Sequence, residues 1–336
     1  MSFLLGPALV ILALTTAPPA FAQPFSGGEA LATYPVSRAL SPIQIDGRPD
    51  ELAWELAPQI NGFRRILNQY GPIDLPTRAR MLWDDDYFYF SFSCHDTDMW
   101  ALYENEDDPM WSEEVVEVFI DPDGDGANYL ELEVNPLNAV VDLRIEAIDP
   151  EWTSSKDWDI AGLKTAVQPH GTVNDASDTD KGWSVEIAIP WTSMTDAEAG
   201  LIDGGGRPAI GDTWRLNLYR IERKAGKEAR AELKELAARS AALQDRLDAH
   251  RHARALRDSL AAADGAERRR LQEALDAQPT SLLDPQAVER ELELLRQKAR
   301  PLQQDYNDRT EYTAWSETFQ RGFHHPARFG LVQFVE

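Results

Sequence analysis

Apolar and polar side chains alternate at strand spacing through most of the chain from about Ser41 to Arg223. Arg78–Trp83 and Tyr87–Phe92 flank Asp84-Asp85-Asp86, two β-rich runs around a tight acidic turn, which predicts a hairpin. Val115–Ile120 and Tyr129–Val134 predict a second hairpin across Asp121-Pro122-Asp123-Gly124-Asp125-Gly126-Ala127-Asn128. In Tyr129–Val134 acidic and apolar residues take turns, so one face is expected buried and the other wet. Further strands are expected at Ala139–Ile145, Leu163–Val167, Gly182–Ile189, Thr213–Ile221, Tyr312–Trp315 and Phe329–Val335. Short strands punctuated by Gly, Pro and Asp, without βαβ alternation or a phosphate-binding glycine loop, predict an all-β fold. The expected architecture is an antiparallel β-sandwich or barrel.

The period changes at Ala225. From there to Leu302 the chain is rich in Ala, Leu, Glu, Arg and Gln and holds no aromatic residue. Leu236, Ser240, Leu243 and Leu247 follow steps of four, three and four, and Val288, Leu292, Leu295 and Ala299 repeat them. This is coiled-coil-like spacing, and it predicts an inserted helical hairpin over 224–305 with reversals at Gly265 and Pro279–Pro285. The β domain is then split, 41–223 and 306–336. Charge follows the same division. Of 33 basic and 57 acidic residues, 224–305 holds 16 and 15, leaving 17 and 42 for the remainder. A formal charge of −24 opposes nucleic-acid binding, which demands a basic face.

Residues 1–22 read as a signal peptide, with an apolar Leu4–Ala17 and Ala20-Phe21-Ala22 as an A-x-A cleavage site, though no basic residue precedes the apolar run. Export to the periplasm or exterior is therefore expected, and 23–40 reads as a loose leader. Cys94, alone of its type, sits in the apolar run Phe88–Cys94 and is expected to be a buried strand residue.

Candidate chemistry centres on two tryptophans in similar company. Trp111 precedes Ser112-Glu113-Glu114, and Trp315 precedes Ser316-Glu317. A pyranose packs its C–H faces on π surfaces and needs polar partners at its rim, so two such indoles suit a sugar. Burial in the core is the competing reading, because Trp is usually largely buried.

These segments, taken in order, resemble carbohydrate-binding module family 9. Ile43–Trp54 is similar to its opening I-D-G-x-x-D-E-x-W turn, and Ala79–Tyr89 to its next hairpin. Trp111–Asp121 is similar to W-x-x-D-x-V-E-x-F-I-D, and Gly182–Trp191 to G-x-x-V-E-x-A-I. Trp315-Ser316 with Pro326–Gly330 matches the closing W-S…P-x-x-F-G. The resemblance spans 41–223 and 306–336; the helical insertion has no counterpart in it. It implies an antiparallel β-sandwich of jelly-roll or DOMON-like type, a non-catalytic module that sandwiches a terminal sugar between Trp111 and Trp315, with Glu117 bonding a hydroxyl. An arginine expected near Glu133 is replaced there by the opposite charge. Asn217 and Arg220, on the Thr213–Ile221 strand, are the candidates to take its place.

Asp121, Asp123 and Asp125 have the alternate-oxygen pattern of a calcium loop, and the resemblance implies structural Ca²⁺. Leu132 at the twelfth position excludes an EF-hand. Two alternatives stay open. A haem-binding DOMON-type redox domain would need axial ligands from His95, Met99, Met110, His324 or His325. An envelope scaffold would act through the insertion, by dimerisation or protein docking. No nucleophile elbow, zinc motif or defensible carboxylate pair points to an enzyme.

Overall fold

The computed structural model describes residues 30–336 apart from 68, 149–152, 156–157, 176, 196–201, 203, 224–225, 277–283 and 321. The expected signal peptide, residues 23–29 of the leader and the reversal at Pro279–Leu283 lie outside the described residues. The strands are β1 (Thr33–Arg38), β2 (Arg64–Arg65), β3 (Thr77–Trp83), β4 (Tyr87–Cys94), β5 (Val115–Asp121), β6 (Tyr129–Val134) and β7 (Val140–Ala147). They continue with β8 (Thr153–Ser155), β9 (Lys164–Pro169), β10 (Trp183–Pro190), β11 (Thr213–Arg223), β12 (Thr310–Ala314) and β13 (Gly330–Phe334). Among the described residues the α-helices are α1 (Leu52–Leu56), α2 (Gly226–Ala262), α3 (Gly265–Asp276) and α4 (Pro285–Asp308).

The strands form two leaves joined through β1. The path runs β8-β7-β6-β5-β11-β13-β1-β3-β4-β10-β9, with β12 on β11 and β2 on β12. Both expected hairpins form, β3 against β4 and β5 against β6. The sheet is mixed, which corrects the expectation of a purely antiparallel sandwich. Thr33–Val36 runs parallel to Leu331–Phe334, and Ser37–Arg38 runs parallel to Leu82–Trp83. The same segment corrects the loose leader: Thr33–Arg38 is a strand that alternates outward side chains with buried Tyr34 and Val36. Its Pro35 hid the pattern, since Pro cannot donate to a ladder.

Period-two alternation puts one face of each leaf into the gap between them. Val116, Val118, Ile120, Leu130 and Leu132 of the first leaf meet Met81, Phe88, Phe90, Val185 and Ile187 of the second. Cys94 is buried in this core, as its strand context required. The outer face of the second leaf is covered by α1, whose Trp54 packs among Leu82, Tyr89 and Ala188. Trp54 Nε1 donates to Glu186 Oε1 at 2.8 Å, and the amides of Asp46, Gly47 and Arg48 donate to Glu186 Oε2. Gly47 holds φ +85°, and a Cβ there would lie 2.7 Å from the Gln168 amide nitrogen, so only glycine fits.

The helical segment begins at Gly226 and ends at Asp308. Leu236, Leu243 and Leu247 of α2 pack with Val288, Leu292 and Leu295 of α4, the positions the heptad spacing selects. Asp284 caps α4 by accepting from the Gln286 amide at 3.0 Å. At the base of α2 and α4, Leu233 and Tyr306 bury Trp100.

Candidate functional site

The outer face of the first leaf carries the candidate site. Odd-numbered positions of β5 and β11 point there, and Val115, Phe119, Tyr129, Tyr219 and Ile221 form a second core beneath the 66–67, 103 and 314–329 loops. Glu117 lies among them, opposite Glu133 on one side and Tyr219 on the other. Glu131 stands opposite Phe119 on the same face. The expected wet face of β6 is therefore corrected: every residue of Tyr129–Val134 is buried. The alternation was read rightly, but both leaf surfaces are covered, one by the other leaf and one by loops.

Burial raises the pKa of each of these carboxylates, that of Glu131 to about 8, and their mutual repulsion adds to this for Glu117 and Glu133. An aromatic rim leads away from them. Tyr219 stacks on Phe323 at 4.7 Å and donates its hydroxyl to the Phe323 carbonyl. Phe323 meets Tyr312 edge-on, and the Tyr312 hydroxyl accepts from Arg223. Arg223 donates to the Trp111 carbonyl at 3.1 Å and lies over the Tyr306 ring at 4.7 Å.

The structure separates the two tryptophans. Trp111, on the 3₁₀ turn Met110–Ser112, is 40% exposed. Trp315 is 7% exposed and belongs to the core between the leaves, edge-on to Tyr34. Its indole lies on Gly330, where a Cβ would come within 2.6 Å of the ring. Ala314 pairs with Tyr219 on the outer face, so the next residue points inward. Trp315 thus offers no ring face to a ligand.

Asn217 and Arg220 are three apart on one strand and project to opposite faces. Asn217 Nδ2 donates to the Tyr219 hydroxyl and the Ser316 carbonyl, while Oδ1 accepts from the Leu218 and Ser316 amides. It is a buried brace. Arg220 is buried in an acidic nest, paired with Glu222 and, at 3.5 Å, with Asp96, and donating to the His95 carbonyl at 2.8 Å. Neither presents a donor to the Trp111 surface.

Asp121, Asp123 and Asp125 bring oxygens within 4.8 Å of one another. Asp121 accepts from the Gly124 and Gly126 amides, Asp123 Oδ1 from Asp125, and Asp125 Oδ1 from Ala127. The Oδ2 atoms of Asp123 and Asp125 stand outside this set of bonds. The donor set suits a hard cation, which the three carboxylates would hold with further oxygens from solvent. Of the haem candidates, Met99 and Met110 are fully buried in separate cores. His324 Nδ1 lies 2.6 Å from the Tyr129 hydroxyl, and burial lowers its pKa to about 3. Elsewhere, a groove of about 400 Å³ is lined by Arg64, Arg65, Tyr70 and Glu317.

Sequence reasoning passed over Arg223, Tyr219, Tyr312 and Phe323. The signal for the first two was the odd-numbered register of β11 against Glu117; the others sit in loop-bounded segments without a readable period.

Residues 45–204 match the profile of the "Carbohydrate family 9 binding domain-like" family. The chain is 29% identical over 158 residues to an endo-1,4-beta-xylanase A of Thermoanaerobacterium saccharolyticum, covering 47% of this chain. It is 29% identical over 151 residues to exoglucanase XynX of Acetivibrio thermocellus, covering 45% of this chain. Each match spans only 12% of the relative's own length. A crystal structure of a candidate carbohydrate-binding protein from Bacteroides uniformis aligns with 91% of this chain and all of its own, at a TM-score of 0.52 and 12% identity. That likeness shows the fold alone. No helix among the described residues is long and apolar enough to cross a membrane.

Proposed function

Because residues 45–204 match the carbohydrate family 9 binding domain-like family, we propose that the chain is a non-catalytic module that binds carbohydrate on the outer face of its first leaf, at Trp111. The family match carries this reading. Trp111 is the partly exposed member of the pair and so the one placed to stack on a sugar, and Arg223 and Tyr312 fix the turn on which it stands. Of the expected two-tryptophan clamp the proposal keeps one member. Trp315 is assigned to the core, and Glu117 to the floor beneath the aromatic rim. One stacked ring gives modest affinity, of order micromolar to millimolar.

The curated relatives' names point to xylan and glucan, so oligosaccharides of these two classes are the probes. Tryptophan fluorescence should titrate with one of them, and Trp111→Ala should weaken binding by at least about tenfold at unchanged melting temperature. Binding that survives Trp111→Ala but is lost in Tyr70→Ala would move the site to the Arg64–Tyr70 groove and refute the proposal. Export belongs to the same reading, as does calcium at Asp121, Asp123 and Asp125. Asp123→Asn with Asp125→Asn should reduce the calcium-dependent rise in melting temperature; an unchanged rise would count against an ion in that loop.

A further inference from the structure

Three carboxylates are walled into the outer face of the first leaf; the Arg223 charge acts on Glu117 but is outweighed by burial and by the other two carboxylates. Oxygens of Glu117, Glu131 and Glu133 lie within 4.8 Å of one another, and all three residues are at least nine-tenths buried. Glu117 is 1% exposed, and among the described residues neither of its oxygens has a hydrogen-bond partner. Oε2 of Glu131 and Oε2 of Glu133 also lack one. A buried acceptor without a donor is strongly unfavourable, and a buried charge without a partner more so. Native proteins leave such groups orphaned where something absent from the polypeptide completes them.

The neighbouring side chains do not complete them. Arg223 spends its guanidinium on the Glu113 and Trp111 carbonyls and on the Thr310 and Tyr312 hydroxyls. His324 Nε2 is 3.8 Å from Glu131 Oε2, yet the ring is held neutral by burial. The carboxylates are cut off from solvent, which suits a bare ion better than the charged group of a larger ligand. The donor set is oxygen only, the preference of a hard cation. The oxygens lie within 4.8 Å of one another, so one ion at a calcium–oxygen distance of about 2.3–2.6 Å could touch all three residues. Magnesium dehydrates reluctantly and usually keeps several waters, so an enclosed all-protein cage suits it less well.

We propose that Glu117, Glu131 and Glu133 form an enclosed calcium site, separate from the Asp121–Asp125 loop. Carboxylates that bind through one or both oxygens give three to six ligands, and full bidentate binding reaches the lower end of the six to eight oxygens that calcium takes. The site stands whether or not the chain binds a sugar.

Terbium is the probe, since it replaces calcium and is sensitised by nearby tyrosines; Tyr129 and Tyr219 share this cluster. Full chain stripped of metal with EDTA should give tyrosine-excited terbium emission that calcium displaces and a tenfold excess of magnesium does not. Asp123→Asn with Asp125→Asn should keep that emission. Glu117→Gln with Glu133→Gln should abolish it, while melting in EDTA at or above the wild-type temperature, because the repulsion is gone. The single variant Glu133→Gln should lower calcium affinity at least tenfold. Emission that survives the double glutamine variant, emission lost only in the asparagine variant, or no displaceable emission at all would overturn the site.

Discussion

At the scale of single residues, charge placed against burial is the chain's most informative feature. Asp142 of β7 is buried; its Oδ2 accepts from the Ile160 amide, and its Oδ1 has no partner. Burial lifts its pKa from 3.8 to about 6. Between those values the native state holds a proton that the unfolded state has released, so stability falls as pH rises through that window. Asp142→Asn keeps an acceptor for Ile160 and removes the charge. The variant should melt above the wild type at pH 7, converge with it near pH 4, and show a flatter profile between. Calorimetry across pH 4–7 checks this, and an equal slope in both proteins would contradict it. The two tryptophans make the complementary point. Similar sequence surroundings sent one to the surface and one to the core, because the strand register at Ala314 turns Trp315 inward. Trp315→Ala should therefore cost about 3–5 kcal/mol of stability, measured by chemical denaturation. A cost under about 1 kcal/mol would mean the ring is not core.

At the scale of elements, the period of the hydrophobic pattern was the reliable signal. It placed both hairpins, the long β11 and the α2–α4 seam, because each has one face that must be buried. It did not disclose β1, whose Pro35 interrupts a short strand, nor the parallel pairing that makes the sheet mixed, since pairing partners 298 residues apart leave no local trace. It also misjudged β6, because alternation reports that two faces differ, not that either meets water. The opening and G-x-x-V-E motifs proved to be one device: Glu186 accepts the turn amides of 46–48 and the Trp54 indole. The helical seam is a second, separate core. Leu292→Ala should loosen it by about 2–5 kcal/mol and speed amide exchange along α2 and α4. Exchange in β4 and β10 should hold, and a matching loss there would show that helices and leaves unfold as one unit.

At the scale of the molecule, the described β domain is a two-leaf sheet whose second leaf is closed by α1 and whose first leaf is closed by loops, with Trp111 standing out at its rim. The family resemblance and the β architecture were legible from ordered motifs, because those motifs are turns and paired strands with fixed chemistry. Of the candidate site residues the proposal keeps Trp111 and Glu117; Asn217 and Arg220 are near neighbours on a strand whose residues point alternately to opposite faces, so nearness in sequence does not bring them to one surface. Indole NMR tests the central claim most directly. Tryptophan Nε1–H signals, assigned by substitution, would be followed while xylan or glucan oligosaccharide is added to the full chain. The Trp111 signal should shift saturably at micromolar to millimolar ligand, while those of the buried Trp54, Trp100 and Trp315 hold still. A saturable response at Trp315 with Trp111 unmoved, or no response to either glycan class, would contradict it.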